Sequence, residues 1–142
     1  MVRSDSLYGS RHFVAKLASQ GVLAQVRAVV VVDMLADTHL DIHRDANSTE
    51  WLDAIIFRQA QDLGFGRCFL RSSRRIEDDH LPFRERGVPA VDVIDLDYGP
   101  LNLYWHTRLD TLDHCSPVSL GVVGQVVIAL LQKLEPTATL NR

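Results

Sequence analysis

Side chains that could transfer protons or bind a metal lie after two apolar segments of this sequence and in two polar segments. Asp33 follows a valine run, Asp95 follows a second apolar run, and Asp78 and His106 lie in polar stretches. In open α/β sheets, ligands bind beyond the carboxyl ends of the strands. Carboxylates and imidazoles that converge there could ligate zinc or act as acid and base. Simpler roles stay open, because a strand-end aspartate often forms a turn and a loop histidine is often solvated.

Two of these carboxylates, Asp33 and Asp78, could form an acid–base pair if the fold brings them together. Buried neighbouring carboxylates share a proton, which raises one pKa toward neutrality. Other chemistry is not indicated, since the sequence has no nucleophile elbow, P-loop or dinucleotide fingerprint. His39 and His43 are four residues apart, but their segment does not read as helical, so zinc is not predicted there.

Apolar periodicity predicts the elements that must position these residues. The pattern indicates helices over 10–19, 51–63 and 118–134, a short helix opening within 76–83, and strands over 28–32 and 90–94. The valine run lacks alternation, which predicts a central strand covered on both faces. Residues 36–49 are expected to form a loop. Residues 71–75 are expected to be an exposed linker after a strand or loop over 68–70.

Finer expectations concern the faces and ends of the helices. The inward residues of the second helix are predicted to be Trp51, Ile55, Ile56 and Ala60. In the short helix, Asp79 is the expected N-cap. Ser116 and Pro117 form a good N-cap and first-turn pair for the last helix. Apolar residues nearly encircle that helix, so it is expected to pack over much of its girth.

The order of elements predicts half of an α/β sandwich with two or three strands, in one domain over residues 1–142. With 46% hydrophobic and 23% charged residues and a net charge of −3, the chain is not expected to be disordered or to bind nucleic acid. No signal-peptide core is seen, and no apolar segment is judged long enough to span a bilayer. Cys68 and Cys115 could be free thiols or one bridge.

The most specific pattern is IEDDHLPFRERGVP at 76–89 followed by WHT at 105–107, with LYGSR at 7–11 and VVDM at 31–34. Over nearly its whole length the chain resembles the C-terminal half of glutaminyl-peptide cyclotransferases and the related zinc aminopeptidases. The resemblance implies a partial three-layer α/β/α sandwich of the phosphorylase/hydrolase-like type that lacks its N-terminal half.

Roles for individual residues are also implied by the resemblance. His106 matches a zinc ligand, and Trp105 and Ile76 match residues that line the substrate pocket. Asp33 matches a carboxylate of the cyclase acidic network, which in the aminopeptidases ligates a second metal. Asp78 matches an aspartate that assists proton transfer. The aminopeptidases more often have serine there, so Asp78 favours the cyclase branch.

The implied substrate is the N-terminus of a peptide or protein, with one zinc ion in a cyclase and two in an aminopeptidase. In a cyclase, the α-amine of an N-terminal glutamine attacks its own side-chain amide and releases ammonia, while zinc polarises the amide carbonyl. An aminopeptidase uses water as the nucleophile instead. Full-length relatives are often exported, so the localisation of this chain stays open.

One departure from the family is large. The family places an aspartate ligand and a Glu-Glu pair upstream of the LYGSR stretch, and this sequence contains no Glu-Glu. Weak or no zinc binding and no turnover by this chain alone are therefore expected. Three interpretations stay open: a fragment of a zinc enzyme, a non-catalytic binding module that keeps Trp105 and Ile76, or a component of a split enzyme. An incomplete sheet edge would also favour self-association.

Overall fold

Four helices and four strands form the part of the chain that this computed structural model describes, residues 6–135. The helices are α1 (Tyr8–Ser19), α2 (Glu50–Asp62), α3 (Leu81–Glu85) and α4 (Pro117–Leu134). The strands are β1 (Val29–Asp33), β2 (Ile42–Asp45), β3 (Phe69–Arg74) and β4 (Ala90–Ile94). Short 3-10 turns occupy Leu23–Gln25, Pro100–Asn102 and Leu112–His114.

Two parallel strand pairs form the sheet region. β1 pairs with β4 in an unbroken register that sets Asp33 opposite Ile94, and β2 pairs with β3. The pairs meet where β2 contacts β4. The Thr49 N–H after β2 donates to the Ala90 carbonyl at the start of β4 (2.7 Å). Because the residues that follow β2 meet the beginning of β4, the two strands run in opposite directions.

The main core lies between β2, β4 and the helices α2 and α4. Ile42, Val91 and Val93 supply the sheet side of this core, and each is at most 1% exposed. Helix α2 and helix α4 contact each other and contribute fully buried residues such as Leu52 and Leu130. A second cluster forms where α1 packs on α3, so helices cover the sheet region from more than one side. The fold is α/β with parallel strand pairs, as expected.

Helix α4 begins as predicted, because the Ser116 hydroxyl accepts hydrogen bonds from the backbone N–H groups of Val118 (3.2 Å) and Ser119 (3.4 Å). The prediction that α4 packs over much of its girth fails for one side of the helix. One face enters the core, while Ile128 is 57% and Leu131 50% exposed. By length and composition alone this helix could cross a membrane, a property it shares with core helices of soluble proteins.

Two predicted irregular segments contain strands. Residues 36–49 include β2, and residues 71–75 include most of β3. The polar residues His43 and Asp45 made β2 look like a solvated loop. In the structure both side chains are buried and form hydrogen bonds. Part of β3 was predicted to be a linker because its polar residues Arg71 to Ser73 indicate exposure, and in the structure they are exposed.

Two predictions about which side chains are buried are also wrong. Trp51 was expected to face inward and is 46% exposed, whereas Ile56 and Ala60 are buried as predicted. β1 was expected to be covered on both faces, yet Val32 is 48% exposed. Within residues 6–135, β1 pairs only with β4, which leaves its other edge uncovered.

Candidate active site

The structure brings the two predicted carboxylates, Asp33 and Asp78, within electrostatic reach of each other. Asp33 ends β1 and is exposed, and its Oδ1 accepts a hydrogen bond from the Met34 N–H (2.9 Å). Asp78 lies half-buried between β3 and α3. Burial raises the pKa of Asp78, and the negative charges of Asp33 and Asp79 raise it further. Asp78 therefore holds a proton more readily than an ordinary aspartate does.

A third acidic residue, Asp92, belongs to the same cluster. It lies at the centre of β4 opposite Val31, so its side chain is on the same face of the β1–β4 pair as Asp33. Asp92 is 3% exposed, and neither carboxylate oxygen has a hydrogen-bond partner. Burial, together with the charges of Asp78, Asp45 and Asp33, raises the pKa of Asp92 to about 8. The protonated form therefore predominates at neutral pH.

Sequence reasoning did not single out Asp92. The signal was present, since Asp92 is the one polar residue of the apolar strand Ala90–Ile94. A carboxylate in a fully buried strand must be paired, protonated or functional.

A buried histidine connects this cluster to β2. His80 is fully buried, with Nε2 2.9 Å from Asp45 Oδ2 and Nδ1 3.8 Å from Asp92 Oδ2. Its N–H directions do not point well at these oxygens, so neither ring nitrogen makes a hydrogen bond of good geometry. His80 also occupies the N-cap position of α3, where Asp79 was expected, because the helix begins two residues later than Asp79.

The predicted pocket residues lie on two different segments. Ile76 is 6% exposed, just before Asp78, whereas Trp105 is 46% exposed in the loop between β4 and α4. The His106 ring stacks on the neighbouring Trp105 ring, with centroids 4.4 Å apart. His106 has a left-handed backbone (φ 56°), which is uncommon for a residue with a side chain. In the part of the chain that the structure describes, no hydrogen bond or ion pair joins His106 to Asp33 or Asp78.

The residues present do not form a complete metal site. Across residues 6–135, no group of three or more His, Cys, Asp or Glu side chains is placed to hold a metal ion. A protein zinc site uses three or four ligands. His106, with or without Asp33, would therefore need ligands from outside these residues.

Other candidates have structural roles. Asp95 is fully buried and accepts hydrogen bonds from the N–H groups of Asp41 and Asp97, both at 3.0 Å, so it stabilises the loop after β4. Cys68 and Cys115 are both free thiols.

The parallel strand pairs and the helices that cover them define this chain as an α/β protein, and Asp33 lies at the carboxyl end of β1, the kind of sheet edge at which such proteins commonly bind ligands. The comparison with family models narrows this class. Residues 4–131 match the model of Peptidase family M28, and the chain belongs to that family.

Similar proteins include both cyclases and peptidases. The glutaminyl-peptide cyclotransferase of Bothrops jararaca is 30% identical over 87% of this chain and 39% of its own length. The crystal structure of an Acidobacteriales bacterium glutaminyl cyclase superposes with a TM-score of 0.89 at 41% identity, over 94% of this chain and 47% of that one. A Zn-dependent exopeptidase from Parabacteroides distasonis has a TM-score of 0.68 at 23% identity, over 74% of this chain and 39% of that one, and shares the fold.

The chain thus spans about two-fifths of the length of the curated relative and about half of the solved cyclase.

Proposed function

We propose that this chain is the C-terminal portion of a zinc-dependent enzyme that acts on peptide N-termini, most like a glutaminyl-peptide cyclotransferase. The observation that carries the proposal is the carboxylate pair of Asp33 and Asp78, with the pKa of Asp78 raised by burial and by the Asp33 charge. The 41% identity to a solved glutaminyl cyclase supports the cyclase reaction over others in the family.

The carboxylate pair has the properties that cyclisation requires. The α-amine nitrogen of the substrate forms a bond to the side-chain amide carbon, and the amide C–N bond breaks to release ammonia. One proton must leave the amine and one must reach the departing nitrogen. A carboxyl group whose pKa lies above its ordinary value can take part in both transfers, so Asp78 is proposed to assist them. Burial and the charge of Asp33 keep that pKa raised.

The roles proposed for the other site residues are those that their resemblance to the family implies. Ile76 and Trp105 are proposed to contact the substrate, and His106 is proposed as a zinc ligand. Asp33 would be a second-metal ligand in a two-metal relative. The other ligands would come from outside the described residues, since these hold no complete metal site. The proton transfers assigned above involve only carboxylates of this chain.

The first test uses the chain alone. Supplied with zinc and a peptide that begins with glutamine, it is expected to release no ammonia and to form no pyroglutamyl peptide, as followed by mass spectrometry. Clear zinc-dependent turnover would contradict the proposal that the site is incomplete.

The second test restores an upstream half. The segment of the Acidobacteriales bacterium cyclase that precedes the matched region is fused to this chain, and the folded hybrid is assayed with zinc. Cyclisation is expected, and His106→Ala should abolish it, while the exposed Asp62→Asn should not. A folded, zinc-loaded hybrid that neither cyclises glutamine nor cleaves peptides would refute the proposal.

An aminopeptidase is the second candidate, favoured by the family itself and by the exopeptidase that shares the fold. The hybrid distinguishes the two, because an aminopeptidase would release the N-terminal residue instead of ammonia. Asp78→Ser should reduce cyclisation more than hydrolysis. Equal losses would remove the preference for the cyclase.

A further inference from the structure

Asp45, at the end of β2, accepts three hydrogen bonds and lies against the His80 ring, although its side chain is fully buried. The donors are the N–H groups of Asn47 (2.9 Å) and Ile76 (3.0 Å) and the Ser48 hydroxyl (2.9 Å), and the His80 ring nitrogen Nε2 lies 2.9 Å from Asp45 Oδ2. A buried carboxylate with several such partners is held in one position.

Two of these partners, Ile76 and His80, lie on either side of Asp78. Residues 76–80 contain no strand or helix hydrogen-bond ladder of their own. The Ile76 carbonyl is also tied to the turn after β2, because it accepts from the side-chain amide of Asn47. The segment that carries Asp78 therefore takes its position from β2 and the turn that follows it, 31 residues earlier in the chain.

We propose that Asp45 is a positioning residue that holds residues 76–80 by both ends and so sets Asp78 against Asp33 and Asp92. This inference rests on the proposed function only for its consequence in catalysis. The attachment itself is a property of the fold and can be measured without any activity.

The donor set requires an ionised Asp45. Burial raises the pKa of this carboxyl, but the adjacent His80 ring and the hydrogen bonds from Asn47, Ile76 and Ser48 together outweigh burial and hold the pKa below its ordinary value. Asparagine has the same shape but only one acceptor oxygen, and its NH2 group would face a donor. Asp45→Asn is therefore the substitution that tests the attachment with the least change in volume.

The matched control is Asp53→Asn. Asp53 is also buried and paired, with Arg44, but it lies on α2 and makes no hydrogen bond to residues 76–80. Amide hydrogen exchange followed by NMR should show the Ile76 N–H exchanging about ten- to a hundredfold faster in Asp45→Asn, as expected for loss of a hydrogen bond to a charged group. Asp53→Asn should leave the rate within about twofold once global stability is matched with denaturant.

Equal acceleration in both variants, or an unchanged rate in Asp45→Asn, would overturn the inference. If Asp45→Asn does not fold, the unaltered protein gives the answer. The Asp45 carboxyl carbon and the Ile76 amide proton should then titrate with one shared midpoint on acidification, and separate midpoints would overturn the inference.

The effect of this attachment on catalysis is measured in the zinc-loaded hybrid enzyme. Asp45→Asn should lower kcat about tenfold or more and displace the acid limb of the pH profile, because Asp78 loses its fixed surroundings, whereas Asp53→Asn should not displace that limb. If Asp45→Asn accelerates exchange but the hybrid without this substitution is inactive, the proposed function is refuted and the attachment is not. If Asp45→Asn leaves exchange unchanged and the hybrid without it is active, only the attachment is refuted.

Discussion

Asp92→Asn is expected to change how stability depends on pH. Asp92 is buried without hydrogen-bond partners and has a pKa of about 8, against an ordinary value of 3.8. The folded protein therefore keeps a proton that the unfolded chain releases above about pH 4. The contribution of Asp92 to the free energy of unfolding is at its full value below pH 3.8. It declines as the pH rises and is lost once the pH exceeds about 8.

The expected magnitude follows from the same values. A pKa rise of one corresponds to about 1.4 kcal/mol, so the rise from 3.8 to about 8 means that ionised Asp92 would cost the fold roughly 6 kcal/mol. Single domains are stable by only about 5–15 kcal/mol, which makes this a large fraction of the total. Asparagine is neutral at every pH, so the variant avoids this cost.

Urea denaturation at intervals between pH 4.5 and pH 9 measures the difference. At pH 4.5 the variant should exceed the unaltered chain in stability by only about 1 kcal/mol, because the pH is still close to the ordinary pKa of 3.8 at which the unfolded chain begins to release this proton. The variant should then become more stable than the unaltered chain by several kcal/mol near pH 9. Asp62→Asn, at an exposed site, should run parallel to the unaltered chain. A constant gap between Asp92→Asn and the unaltered chain at every pH would refute the reasoning.

The last helix and the sheet edge give three more measurable expectations. Ser116→Ala should lower the free energy of unfolding by about 1 kcal/mol, because two N–H groups lose their acceptor, and an unchanged melting temperature would contradict this. Leu130→Ala should cost about 2–5 kcal/mol, but Ile128→Ala less than about 0.5 kcal/mol; similar losses would show that α4 is packed on the other face. The open edge of β1 should promote self-association in sedimentation experiments, and Val32→Lys should reduce it; a strictly monomeric unaltered chain would argue against this.

The elements that the sequence predicted well have local signals. The strand over 90–94 is an apolar run bounded by Pro89 and Asp95, and β4 occupies those residues. Helix α4 starts where Ser116 and Pro117 indicate, since capping depends only on neighbouring backbone groups.

The elements and residues that the sequence did not predict depend on distant partners. The sequence of strand β2 resembles a loop because nothing near Asp45 shows that the Ile76 N–H and the His80 ring will contact its carboxylate. Asp92 could have been noticed as the one polar residue of its strand, but its high pKa arises from burial and from charges on other segments, which the local sequence does not show. The family motif located Asp33 and Asp78, whereas the buried residues behind them became visible only in three dimensions.

The unbroken alignment of β1 with β4 has a consequence for insertions and deletions. Side chains alternate between the two faces of a strand, so an extra residue within Val29–Asp33 would transfer Asp33 to the face opposite Asp92. An extra residue in the exposed turn around Gly64 would leave that alignment intact. Related sequences should therefore vary in length between these two strands far more readily than inside them.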